Sequence, residues 1–96
     1  MAAYAIGRLQ MRDPAWLQEY GSKTPGLVAK HGGKYLVRGS GIERLEGSGT
    51  LPSVVVVLEF PSMAQARSWY NDPEYAPLIK LCQTGADLDF ILVEGL

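Results

Sequence analysis

The stretch Val54-Val55-Val56-Val57-Leu58-Glu59-Phe60 constrains this chain more than any other. Five consecutive aliphatics with no polar alternation read as a strand whose two faces are both covered. Pro61 stops that strand, and Ser62 with Gln65 forms a capping box that starts a helix at once. Met63, Ala66, Trp69 and Tyr70 make the inward face of that helix. A chain of 96 residues has room for one domain, 1–96, and for one layer of helices. One face of the central strand therefore has to find its cover elsewhere.

The rest of the chain supplies partners for the strand. Residues 3–11 alternate as a strand, with Tyr4, Ile6, Arg8 and Gln10 on one face and Ala5, Gly7, Leu9 and Met11 on the other. Asp13-Pro14 opens a helix, Asp13 as cap and Pro14 in its first turn. The stripe Leu17, Tyr20, Thr24, Leu27, Val28, His31 carries that helix to Gly32-Gly33, with a kink or break expected around Gly21 and Pro25. Lys34 to Arg38 is a short strand, Ile42 to Glu46 its continuation after a bulge, and 47–52 a turn region. After the central strand and its helix, Asp72 caps a restart whose stripe is Tyr75, Leu78, Ile79, Cys82. Asp87 to Glu94 closes the chain as a strand.

The order β-α-β-β-α-β specifies an α+β, ferredoxin-like fold: a four-stranded antiparallel sheet with the helices on one face. Right-handed connections put the first and third strands in the centre. The sheet face away from the helices then carries a patch of Val and Ile too large for a monomer, and a homodimer is expected.

Composition excludes several partners. The nine Lys/Arg and ten Asp/Glu are scattered rather than clustered, so neither nucleic acid nor an anionic membrane finds a basic patch. No apolar run reaches the roughly 18 residues of a membrane span. Met1-Ala2-Ala3-Tyr4 lacks the basic start of a signal peptide, and the single Cys82 fits a reducing, cytoplasmic setting. One His and one Cys do not make a metal site, and the glycines match no phosphate or dinucleotide loop. No cofactor is expected.

The residues leave the chemistry open but name candidates. His31, at a helix C-terminus, is either a cap or a site residue. Cys82 lies on an apolar stripe and reads as core rather than nucleophile. Trp16, Trp69, Tyr70 and Tyr75 suggest an aromatic cage, but Trp69 and Tyr75 sit at core spacing and read as packing; the hydroxyls of Tyr20, Tyr70 and Tyr75 need partners if buried and could point into a pocket. Arg38 and Glu59 interrupt otherwise apolar strands. They form either a bridge at the dimer seam or a ligand-binding pair, with Arg8 a weaker candidate. The irregular loop between their strands leaves the pairing register open.

Glu59-Phe60-Pro61-Ser62, Trp69-Tyr70-Asn71-Asp72-Pro73-Glu74-Tyr75, Gly32-Gly33-Lys34-Tyr35-Leu36-Val37-Arg38-Gly39 and Val93-Glu94-Gly95 together resemble the family called domain of unknown function 1330. The resemblance covers essentially the whole chain. It implies the dimeric α+β-barrel arrangement, two sheets packed face to face, and no established activity. Members usually have an arginine where this chain has Cys82, and Lys80 is an imperfect substitute. The expectation is a small protein that binds a small organic, anionic molecule in a pocket between sheet and helices. The alternative is a non-catalytic dimeric module for ligand sensing or assembly.

Overall fold

The computed structural model describes all of residues 1–96. Strand β1 (Ala3–Met11) leads through a 3₁₀ turn (Pro14–Trp16) into helix α1 (Leu17–Lys30). Strand β2 (Lys34–Gly39) and strand β3 (Val54–Phe60) follow, then helices α2 (Met63–Tyr70) and α3 (Ala76–Gln83), then strand β4 (Ala86–Glu94). The sheet order is β2-β3-β1-β4 and every neighbour is antiparallel. The first and third strands are central, as the connection rule requires, and the architecture is the expected ferredoxin-like one.

The caps explain where the elements begin. The Asp13 carboxylate accepts from the Ala15 N–H at 3.0 Å and holds the first turn. Ser62 Oγ accepts from the Gln65 N–H at 3.2 Å, but the box is only half closed. The Gln65 side chain donates instead to the His31 carbonyl, 3.3 Å away, tying α2 to the end of α1. Gly32, at φ +80°, turns the chain out of α1.

Two local expectations are corrected. Helix α1 runs unbroken through Gly21 and Pro25. Proline loses one backbone hydrogen bond there, but Thr24, Leu27 and Val28 are buried around it, and that packing holds the helix together. Residues 42–46 do not continue β2; the chain from Ser40 to Ser53 has no regular structure.

Two clusters of buried side chains lie between sheet and helices. The larger joins Ala5, Leu27, Val28, Leu58, Phe60, Ala66, Trp69, Tyr75 and Leu78. The smaller joins Leu9, Trp16, Cys82 and Ala86. Burial of Cys82 pushes its thiol pKa up, as for an inert core residue. The far face of the sheet has no layer over it: Val37, Ile91 and Val93 are 45%, 58% and 45% exposed.

Candidate functional site

Between the two clusters lies a cavity of about 570 Å³, within the range of small-molecule sites. Its sheet wall is Leu9 and Met11 of β1, Val54, Val56 and Leu58 of β3, and Leu88 and Phe90 of β4. Trp16 of the 3₁₀ turn and Tyr20 and Thr24 of α1 roof it, and Trp69 of α2 closes one side. Tyr35, Arg38, Gly39 and Ser40 form the rim along β2.

A bulge puts Arg38 there. Tyr35 opposes Leu58, but the register then slips, so that Val37 opposes Val57 and Arg38 opposes Val56. Regular alternation would place Arg38 on the same face as Lys34, away from the helices. The bulge turns it to the helix side, three residues after Tyr35, which stays on that side too. Its guanidinium stands 5.5 Å from the centre of the Tyr35 ring, a cation–π distance. Arg38 is the only ionisable charge in the wall of the cavity, which contains no carboxylate, lysine or imidazole.

The expected pairing of Arg38 with Glu59 is therefore wrong. Glu59 opposes Lys34 and Tyr4 and lies on the open face of the sheet. Its partner is Lys34, at 3.3 Å. Its carboxylate also raises the pKa of the Tyr4 phenol beside it. Arg8, the weaker candidate, is likewise on the open face, paired with Asp89 at 2.6 Å.

The tyrosines divide. Tyr20 lines the cavity, and its hydroxyl meets that of Tyr75 at 2.5 Å. Burial drives both phenols far above their ordinary pKa, so neither ionises near neutral pH. Tyr75 stands behind Tyr20 as its hydrogen-bond partner. Tyr70 does not turn inward with its helix; it is 43% exposed and packs edge-on against Trp69 and Tyr75.

His31 is not part of this wall and serves another purpose. Its Nε2 lies 2.7 Å from the buried carboxylate of Asp72, which also accepts from Lys30 Nζ at 3.0 Å and from the Glu74 N–H at 2.9 Å. These donors, His31 first, hold the Asp72 carboxyl well below the usual carboxylate range. The cluster clamps the end of α1 to the link between α2 and α3.

Sequence reasoning missed Tyr35, Thr24 and Ser40 as lining residues. Thr24 was visible as a member of the α1 stripe, whereas only the bulge brings Tyr35 and Arg38 to one side. No three His, Cys, Asp or Glu side chains gather as a metal cluster would. No helix is long and apolar enough to cross a membrane.

Comparison with known proteins follows the fold. A protein of unknown function from Rhodopseudomonas palustris is 21% identical, with a TM-score of 0.80 over 99% of this chain and 82% of that one. SnoaB, a cofactor-independent oxygenase from Streptomyces nogalater, is 14% identical with a TM-score of 0.70, covering 99% of this chain and 93% of its own. A dimeric ferredoxin-like protein of unknown function from Thermobifida fusca is 11% identical with a TM-score of 0.60, over 99% and 92%. At these identities the likeness is one of fold. No curated protein matches the chain significantly. The match that covers the chain in sequence is a family model spanning residues 2–96, and by it the protein belongs to the family Domain of unknown function (DUF1330).

Proposed function

We propose that the protein binds a small organic molecule, apolar in body and anionic at one end, in the cavity between the sheet and α1. The observation that carries this reading is the lone cation of a mostly apolar wall, turned to the helix side by a bulge. A single guanidinium at the rim offers a fork to a carboxylate or enolate while the aromatic and aliphatic wall takes the body. Binding is favoured over acid–base catalysis, because the lining groups that could exchange protons are phenols held neutral by burial. The similarity to a cofactor-independent oxygenase is one of fold, compatible with small-molecule chemistry, and gives no residue for it.

The functional unit we propose is a homodimer in the cytoplasm, its protomers meeting through the open face of the sheet. Val37, Val55, Val57, Ile91 and Val93 form the apolar middle of that face. The pairs Arg8–Asp89 and Lys34–Glu59 satisfy its charges within the protomer. Dimeric ferredoxin-like relatives support the same arrangement. Light scattering should return twice the 10.5 kDa chain mass, and Ile91→Glu should return the monomer. A wild-type monomer at micromolar concentration rules the dimer out. For the ligand, calorimetric titration with 2-naphthoate should show saturable one-to-one binding per chain that Val56→Trp, filling the cavity, abolishes. Binding undiminished in Val56→Trp would place the ligand elsewhere.

A further inference from the structure

We infer that Phe90 sets the length of ligand this cavity takes: an aromatic anion two fused rings long, with a third ring excluded. The inference rests on the reading of the cavity as a small-molecule site and names the residue that selects within it.

The strand register carries it. Arg38 opposes Val56, Val56 opposes Gly7 and Gly7 opposes Phe90, so the four stand in one row across the sheet. Arg38 and Phe90 are the ends of that row, and both belong to the cavity wall, as does Val56 between them. At about 4.8 Å per strand, the row measures about 14 Å between its outer backbones. Gly7 contributes no side chain, and the Phe90 ring takes the place. A Cβ on Gly7 would stand 2.9 Å from Phe90 Cε1 and 3.1 Å from its Cζ. The ring therefore leans from β4 over β1 and shortens the open row by a strand spacing, to roughly 10 Å.

Beyond the ring there is further space. Two smaller clefts of about 250 Å³ each lie beside α2 and α3. Their walls include nothing from β2 or β3, whereas the cavity wall includes nothing from α3. Phe90 is common to all three walls and so divides the cavity from both clefts. Trp69 braces it at a steep angle, ring centroids 5.7 Å apart, and Leu88 reaches over Gly7 beside it. Packed on both sides, the ring resists displacement by extra atoms. A ligand whose anionic head meets Arg38 lies along the row over Val56 and ends against Phe90. Two fused rings and their carboxylate occupy that length, and a third ring in line runs into Phe90.

Equilibrium titration followed by ligand fluorescence, with 2-naphthoate and anthracene-2-carboxylate, tests this. The wild type should bind the naphthoate about tenfold more tightly, the cost of pressing a ring against packed side chains. Phe90→Ala, which joins the cavity to the clefts, should erase or reverse that ratio. Met11→Ala, which enlarges the wall away from the row, should keep it. Phe90→Leu should erase most of it, and decides the matter should the alanine variant not fold. Anthracene-2-carboxylate bound by the wild type as tightly as 2-naphthoate overturns the inference and leaves the cavity reading standing. So does a ratio that survives the loss of the Phe90 ring, or one that Met11→Ala relieves equally. If neither compound binds the wild type, the cavity reading falls and this inference falls with it.

Discussion

The two ends of strand β3 sit in the same layer, under the same helices, and differ completely. Phe60 is fully buried in the larger cluster, and Leu58, at the inner edge of the cavity wall, is almost as enclosed. Val54 and Val56, on the same side of the same strand, are only half-buried, because a cavity stands over them. At the filled end an ionic clamp, His31 and Lys30 on Asp72, ties helix to helix. At the hollow end the charged side chain in the cavity wall is Arg38, whose neighbour is a tyrosine ring rather than an acid. Packing density is the usual state of a protein interior, so the filled end is explained by stability alone. The hollow end is not, and that contrast is the main argument for a ligand.

The sharpest way to break the contrast is to truncate both ends equally. Leu58→Ala should cost about 2–5 kcal/mol in urea unfolding, as for an enclosed leucine whose neighbours cannot collapse. Val56→Ala should cost under about 1.5 kcal/mol, because its methyl groups already border open space. Equal losses would mean that the cavity closes in solution.

Acid should act on the filled end first. The folded-state pKa of Asp72 is depressed, so its contribution is present above the ordinary carboxylate value and is lost as pH falls through the lower folded one. Asp72→Asn should therefore lower stability at neutral pH and flatten the fall in melting temperature below about pH 4. An unchanged acid profile would show that the clamp does not hold the helices.

At the hollow end the effects should appear in binding rather than stability. Arg38→Met should weaken 2-naphthoate about tenfold or more, with a melting temperature within a degree or two of wild type. The smallest effect belongs to Thr24→Val. Removing a buried hydroxyl without a partner should leave the free protein as stable or stabilise it by up to about 1 kcal/mol. A loss of more than that would reveal a partner for Thr24 within the protein.

Most of the frame was legible because it rests on local rules. Asp13, Ser62 and Gly32 act where short-range capping chemistry puts them, and the aliphatic run of β3 reads as a central strand without knowledge of its neighbours. The open sheet face also followed from counting layers. What was not legible depends on one non-local event. Alternation in β2 gives Arg38 and Glu59 one face, and the slip between Tyr35 and Val37 separates them. A bulge is set by how two strands meet, and the sequence of β2 carries no glycine or proline at the slip to announce it. The same holds for α1, where the pull of Thr24, Leu27 and Val28 on the core outweighs Pro25. Tyr70 shows the opposite failure: helical spacing points it inward, and the large rings of Trp69 and Tyr75 already occupy the place.

Methyl and indole NMR during a titration with 2-naphthoate tests the central claim most directly, since it locates the ligand on one end or one face. The account predicts shifts concentrated at Leu9, Thr24, Val54, Val56 and the Trp69 indole, with Val57, Ile91 and Val93 on the open face unmoved. Shifts confined to Val57, Ile91 and Val93, or absent everywhere at millimolar ligand, would contradict it.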